Sequence, residues 1–141
     1  MKLALELGQS ATWTRRIEAH HVEAYRDITG DNNPLHFDPD YAAATNFERL
    51  IVHGGITSGA LNALVAEVMP GPGSVFIRQE LDYLGPAQVG DLLKATGKVV
   101  WLHASKPVCH LEVEVTARGS DEAEARTCLK GLCVVYRALP G

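Results

Sequence analysis

The chain has 141 residues, enough for one ordinary globular domain and too few for two, so we assign residues 1–141 to a single domain. Hydrophobic residues make up 46% and charged residues 21%, both near the globular average, which excludes wholesale disorder. The net charge of −4 argues against a surface that binds nucleic acid.

The N-terminal segment does not have the pattern of a leader. Residues Met1–Gln9 contain one Lys, are interrupted by Glu6 and have no small-residue cleavage site. We therefore expect no targeting segment.

The first predicted helix covers Glu18–Thr29, where apolar residues recur on one face. Gly30 follows as a stop signal, because glycine adopts the left-handed cap conformation without a steric penalty. A second, short helix is expected from Pro39, with Asp38 as its cap.

The longest apolar stretch lies in the middle of the chain. From Gly55 to Met69 it is apolar nearly all round, which is typical of a helix enclosed by other structure. A membrane span would have to bury Asn62 and Glu67 without partners, so we expect no membrane association. The glycines and prolines of residues 70–73 end this helix.

After that helix the apolar residues alternate with polar ones, which is typical of antiparallel strands with one buried face. Strands are predicted at Ser74–Leu84, Leu93–Trp101, Cys109–Arg118 and Ala125–Arg137. The inward sets include Val75, Ile77, Leu81 and Tyr83 in the first of them and Leu93, Ala95, Val99 and Trp101 in the second. Helices followed by such strands predict an α+β fold, with an antiparallel sheet wrapped around the central helix.

The three cysteines, Cys109, Cys128 and Cys133, form no CxxC pair and fall within strand patterns. We interpret them as small buried hydrophobic residues and not as a disulfide or zinc site. A reducing, cytoplasmic location is the expectation.

The most informative stretch is Thr29-Gly30-Asp31-Asn32-Asn33-Pro34-Leu35-His36. It places a carboxylate and an imidazole five residues apart across a proline-stiffened turn, and a turn can direct both side chains to one point. An acid and a base that converge on one water molecule are what proton transfer requires. Taken singly, Asp31 could merely hydrogen bond the turn, and His36 could be structural.

This stretch resembles the hydratase motif of the MaoC-like (R)-specific enoyl-CoA hydratases, which have the hot-dog fold, and it matches every fixed position from Thr29 to His36. The resemblance covers most of the chain. It also includes Asp38, Tyr41-Ala42, His53-Gly54, Met69-Pro70-Gly71-x-Gly73, Gln79-x-Leu81 and Pro86-x-x-x-Gly90-Asp91. One departure is Phe47-Glu48-Arg49, where many relatives have Phe-Gly.

The resemblance implies a sheet around a long central helix and an (R)-specific hydration of trans-2-enoyl thioesters. It implies that Asp31 and His36 are the catalytic acid/base pair. It also implies that the backbone N–H of Gly54 stabilises the negative charge on the thioester oxygen. The substrate-binding candidates are Asn33, His53, Gly55, Ser58 and Asn62; the last two share a helix face, and either could support the catalytic pair.

No metal or redox cofactor is expected, because the chain has neither an HExxH nor a CxxC pattern and coenzyme A enters as part of the substrate. Scattered basic groups such as Arg78, Lys94, Lys98 and Lys106 are candidates for the coenzyme phosphates.

Two other functions remain open at this stage. A thioesterase of the same fold would use a carboxylate on the central helix, for which Glu67 is the candidate, although it lies at the far end from Asp31. A non-catalytic acyl-binding subunit is the other. A homodimer is expected because a single wrapped sheet leaves an open edge. Acyl chain length and carrier, coenzyme A or acyl carrier protein, are not determined.

Overall fold

The computed structural model describes all residues from Met1 to Gly141. In chain order the elements are β1 (Ser10–Arg16), α1 (Ala19–Thr29), α2 (Pro34–Phe37), α3 (Pro39–Ala43), α4 (Gly54–Ala63), a π-helical segment (Leu64–Val68), β2 (Ser74–Tyr83), β3 (Leu92–Leu102), β4 (Val108–Arg118) and β5 (Arg126–Arg137).

The five strands form one antiparallel sheet in the order β1-β3-β4-β5-β2. The central helix α4 and its π-helical extension lie against the inner face of this sheet. Leu61 and Leu64 are fully buried there, facing inward residues of the strands such as Leu111 and Leu129. The predicted α+β architecture with a central helix is confirmed.

The ends of the helices follow the predicted signals. Gly30 ends α1 with φ of 78°, in the left-handed region. The Asp38 carboxylate accepts hydrogen bonds from the N–H groups of Asp40 and Tyr41 at 3.1 Å, which caps α3.

One strand was missing from the prediction. Residues Ser10–Arg16 form β1, which pairs along its whole length with β3. Ala11 and Trp13 are half-buried while Thr12 and Thr14 are exposed, so the alternation is present but spans only two apolar positions. The one-turn helix α2 was likewise expected only as a turn.

Two β-bulges correct the predicted inward sets. The register of β3 on β4 shifts between Val99 and Trp101, and an extra residue moves every later side chain to the other face. Trp101 therefore lies 41% exposed beside His110 on the outer face.

On the edge strand β2, a bulge between Phe76 and Arg78 has a similar effect. Val75 and Ile77 are more than half exposed, and Phe76 takes the inward position instead. Tyr83 lies on the inner face, opposite Leu129, but is 56% exposed because the strand ends there.

All three cysteines are free and fully buried on β4 and β5. Burial raises the pKa of the Cys109 and Cys133 thiols to about 11 and also raises that of Cys128. None of the helices has both the length and the apolar character needed to cross a bilayer.

Candidate active site

Asp31 lies in the turn between α1 and α2, held by local hydrogen bonds. Its N–H donates to the Thr29 hydroxyl at 3.1 Å, and its carboxylate accepts from the N–H of Asn33 at 3.1 Å. The Thr29 hydroxyl in turn donates to the carbonyl of Tyr25 at 2.8 Å. One carboxylate oxygen is used in the turn, which leaves the other available to a ligand.

His36 lies on α2 and is fixed by the segment that leads into α4. Its Nδ1 is 2.7 Å from the carbonyl oxygen of Ile51. Because a carbonyl only accepts, Nδ1 must carry a proton, and in the neutral ring the lone pair is on Nε2. The N–H of Ile51 donates back to the carbonyl of Leu35, so the two segments are joined on both sides of His36.

The turn brings three titratable side chains together. Each of Asp31, His36 and His53 has a carboxylate oxygen or ring nitrogen that lies within 4.8 Å of those of the other two. Two hydrogen bonds to one water molecule span about 4.5 Å, so a single water can contact the carboxylate and the imidazole together. Asp31 is exposed and His36 half-buried, whereas His53 is buried.

The same three residues are the one cluster in the chain that offers a metal three ligands. The rings of His36 and His53 lie nearly face to face, with centroids 3.8 Å apart and planes at 31°. Lone pairs lie in the ring planes, so stacked rings direct them side by side and not to a common point. This arrangement disfavours a shared metal ion.

The N-terminus of α4 begins at Gly54, beside this cluster. Neither Gly54 nor Gly55 donates its N–H to another group of the chain, whereas those of Ile56 and Thr57 bond the carbonyl of His53. Gly54 is exposed and free of a side chain, so a ligand oxygen can approach both N–H groups. The helix dipole adds to the attraction of a negative charge there.

A cleft of about 360 Å³ opens at Gly54. Its walls are mostly apolar, and its lining includes Phe47, Ile51, Thr57, Tyr83 and Pro86. A larger cleft of about 540 Å³ is lined by polar residues around Asp91 and Glu122 and contains neither Asp31 nor His36. The smaller, apolar cleft also lacks these two side chains, but it includes Gly54 and Ile51, whose carbonyl contacts His36, so it is the cleft adjacent to the candidate catalytic pair.

The remaining predicted residues differ in their placement. Asn33 caps α2, its side-chain oxygen accepting from the N–H of Leu35 at 3.1 Å. Ser58 is half-buried and its hydroxyl donates to the carbonyl of Gly55 at 3.3 Å, whereas Asn62 is exposed on α4. Neither Ser58 nor Asn62 hydrogen bonds to Asp31, and their substrate contacts stay a prediction.

The candidate phosphate-binding residues are less well placed. Lys94 and Lys98 alternate with buried residues of β3 and so lie on the outer face of the sheet, opposite α4. Arg78 forms an ion pair with Glu80.

Two tyrosines of the site were not predicted from the sequence. Tyr25 on α1 lies over Gly55 and against His53, with ring centroids 4.8 Å apart. The Tyr83 ring faces Gly54, 3.1 Å from where a Cβ on that residue would be. The sequence pattern places Tyr25 on the apolar face of α1 and Tyr83 on an inward strand face, and neither pattern indicates which part of the chain the ring will contact.

The departure at Phe47-Glu48-Arg49 also has a structural counterpart. Glu48 has φ of 67°, a left-handed backbone conformation that glycine adopts more readily. The loop therefore keeps a glycine-like conformation although the residue is glutamate.

Fold and site together define a hot-dog protein with an Asp/His pair beside the N-terminus of its central helix. The profile of the MaoC-like domain family matches residues 5–122, and the chain belongs to this family.

Several characterised proteins are similar over most of the chain. An (R)-specific enoyl-CoA hydratase of Aeromonas caviae is 38% identical over 116 residues, which are 82% of this chain and 87% of that protein. An (R)-specific enoyl-CoA hydratase of Rhodospirillum rubrum is 31% identical over 79% of this chain and 78% of its own length. The solved (R)-hydratase from A. caviae involved in PHA biosynthesis superimposes with a TM-score of 0.86, at 35% identity, over 96% of this chain and 98% of its own.

Proposed function

We propose that this chain is an (R)-specific enoyl-CoA hydratase, which adds water reversibly to trans-2-enoyl-CoA and gives (R)-3-hydroxyacyl-CoA. The observation that carries the proposal is the placement of Asp31 and His36 within reach of one water molecule, next to the free N–H groups at the start of α4. The similarity to the A. caviae hydratase over 82% of the chain supports it.

In this mechanism His36 is the general base. Its Nδ1–H is held by the carbonyl of Ile51, which leaves Nε2 to take a proton from the water as the oxygen bonds to the β-carbon. Asp31 orients that water through its free carboxylate oxygen.

The proton that His36 takes from the water then passes to the Asp31 carboxylate, which delivers it to the α-carbon, so both side chains end the cycle as they began. Electron density that moves onto the thioester oxygen before this step is stabilised by the N–H of Gly54. The net change is one water added across the double bond.

We expect no metal or redox cofactor. His36 Nδ1 and His53 Nε2 are already hydrogen bonded to backbone carbonyls, and the two rings are stacked on each other. Activity should be unchanged after treatment with a strong chelator; a loss restored by added metal would contradict this. The free, buried thiols support a reducing location such as the cytoplasm.

A homodimer formed through β2 is part of the proposal. This strand is at the edge of the sheet, its outer backbone groups are unpaired, and Val75 and Ile77 are exposed on it. Asp31 and Asn62 are also exposed in the single chain, so a second copy would help to close the site. Light scattering should give the mass of two chains, about twice 15.2 kDa.

A thioesterase is the less favoured alternative. Glu67 lies 13 residues after Gly54, which corresponds to about 20 Å along a helix, and it is exposed in the π-helical segment. A non-catalytic acyl-binding subunit would not need the pair of Asp31 and His36 beside the helix N-terminus.

The experiment is the hydration of crotonyl-CoA, followed by the loss of absorbance of the conjugated thioester. Hydration with (R)-3-hydroxybutyryl-CoA as product supports the proposal. Release of free thiol without hydration would indicate a thioesterase, and tight binding without turnover of C4 to C12 substrates would indicate a binding subunit; both contradict the proposal. The same panel with acyl carrier protein thioesters identifies the carrier.

A further inference from the structure

His53 connects three parts of the candidate site that are separate in sequence. Its ring nitrogen Nε2 lies 3.0 Å from the backbone carbonyl oxygen of Asp31. Its ring stacks on that of His36, with centroids 3.8 Å apart. Its own carbonyl accepts the N–H groups of Ile56 and Thr57 at the start of α4.

The contact with Asp31 fixes the state of the ring. A carbonyl only accepts, so Nε2 must donate, and Nδ1 then has the lone pair in the neutral ring. Nδ1 is buried and has no hydrogen-bond partner, and the residue is 1% exposed. Because a polar atom buried without a partner costs free energy, something must offset that cost, and the contacts with Asp31 and His36 are the candidates.

The surroundings of His53 hold its ring in one place. Tyr25 and Phe37 lie against it, with ring centroids at 4.8 Å and 5.8 Å. The ring therefore cannot rotate without displacing α1 or α2. Its position sets the distance between the Asp31 turn and the plane of the His36 ring.

We propose that His53 is a positioning residue, which keeps Asp31 and His36 at the separation that one water can bridge and aligns them with the N–H of Gly54. It does so mainly through the Nε2–H bond to the Asp31 carbonyl, with a smaller contribution from the stacking on His36, and without itself taking or giving a proton. The proposal rests on the proposed hydratase function for its kinetic test.

Two substitutions separate the two contacts. His53→Phe keeps an aromatic ring for His36 but loses the donor to Asp31, whereas His53→Gln places an amide N–H near the position of Nε2 and loses the ring. A displacement of about 1 Å costs up to about 100-fold in rate. We expect His53→Phe to lower kcat about 10- to 100-fold with KM within about twofold, and His53→Gln to restore most of that loss.

His110→Phe is the matched control. His110 also stacks on an aromatic ring, that of Trp101 at 4.4 Å, but it lies on the outer face of the sheet. This variant should have wild-type kcat and KM. Where His53→Phe does not fold, His53→Leu also lacks a donor in a smaller side chain, and the same results are expected of it.

A second measurement does not depend on catalysis. Hydrogen exchange of the peptide over residues 29–36 should become faster in His53→Phe and not in His53→Gln. Only the Phe variant removes the hydrogen bond that the side chain of residue 53 donates to the Asp31 carbonyl. Wild-type kcat in the folded Phe or Leu variant, or unchanged exchange in it, would overturn the proposal. If the wild-type chain does not hydrate crotonyl-CoA, the proposed function fails and the exchange measurement still decides the role of His53.

Discussion

The hydroxyl of Tyr25 occupies the space that a side chain at Gly55 would need, so that a Cβ built on this glycine overlaps the phenol. The backbone of Gly55 has an ordinary helical conformation within α4, and any residue could adopt it. Glycine is needed there because of its neighbour. The ring of Tyr25 also lies against His53, so a displacement of Tyr25 would change the packing of the candidate site.

Replacement of Gly55 by alanine should therefore destabilise the protein. The added methyl must displace the Tyr25 ring, which packs against His53, and overpacking of this kind costs about 1–3 kcal/mol. Chemical denaturation would measure the change in the free energy of unfolding. Gly59→Ala on the same helix is the control, because a Cβ there meets nothing within 4 Å and should stabilise by about 0.5–1 kcal/mol. Equal effects of the two substitutions would contradict the steric explanation.

Substitutions in the catalytic pair should remove activity without unfolding the chain. Asp31→Asn and His36→Gln should each lower kcat by about 100-fold or more, since a positioned acid or base contributes that much. Both side chains are at least partly exposed, so the melting temperature should change little. Steady-state kinetics with crotonyl-CoA and thermal melts measure the two quantities. Wild-type turnover in either folded variant would be incompatible with the assigned roles.

We expect the ion pair of Arg126 and Asp91, beside the larger cleft, to contribute to stability. Arg126 contacts the Asp91 carboxylate at 2.6 Å, where the Asp91 side chain is only 5% exposed, and it also bonds Glu122 and the carbonyl of Pro86. Arg126→Met leaves the buried Asp91 charge with the N–H of Gln88 as its remaining partner and should cost up to about 3–5 kcal/mol.

Arg78→Met, in an exposed pair with Glu80, should cost no more than about 1 kcal/mol in the same denaturation experiment. A small loss in Arg126→Met would mean that Asp91 is adequately solvated in the folded chain.

His21 should make the stability depend on pH. Desolvation lowers its pKa below the usual 6.5, and so do the neighbouring His20 and Arg15. Its Nδ1 also accepts the N–H of Glu18 at 2.9 Å, which a protonated ring cannot do. Because the folded pKa is below the unfolded one, this stabilisation is complete above about pH 6.5 and is lost as the pH falls through the folded pKa. Thermal melts between pH 7.5 and 5 should show a smaller decline for His21→Gln than for the wild type, and identical slopes would contradict this.

The sequence was sufficient for the elements with strong local patterns. β4 alternates strictly from Cys109 to Ala117, and its inward residues are all buried. β1 was missed because its apolar pattern has only Ala11 and Trp13, and the strand is defined mainly by its pairing with β3. The position of Trp101 was wrong because a bulge depends on how two strands pair, which one strand alone does not reveal.

The residues of the candidate site also fall into those that a local sequence motif identifies and those that only the folded structure brings together. Asp31, His36 and Gly54 could be identified because they belong to contiguous motifs. The contacts of His53 with Asp31, 22 residues away, and of Tyr25 with Gly55, 30 residues away, arise only when α1 and α4 come together. Periodicity indicates which face of a helix is buried but not what that face meets.

The three cysteines of β4 and β5 give the fold an internal reporter. Each is fully buried, and the raised pKa keeps the thiols protonated and slow to react near neutral pH. A thiol reagent can modify them only after the packing around these two strands opens. The rate of alkylation therefore measures how often the sheet opens, in the unaltered chain and without an added label.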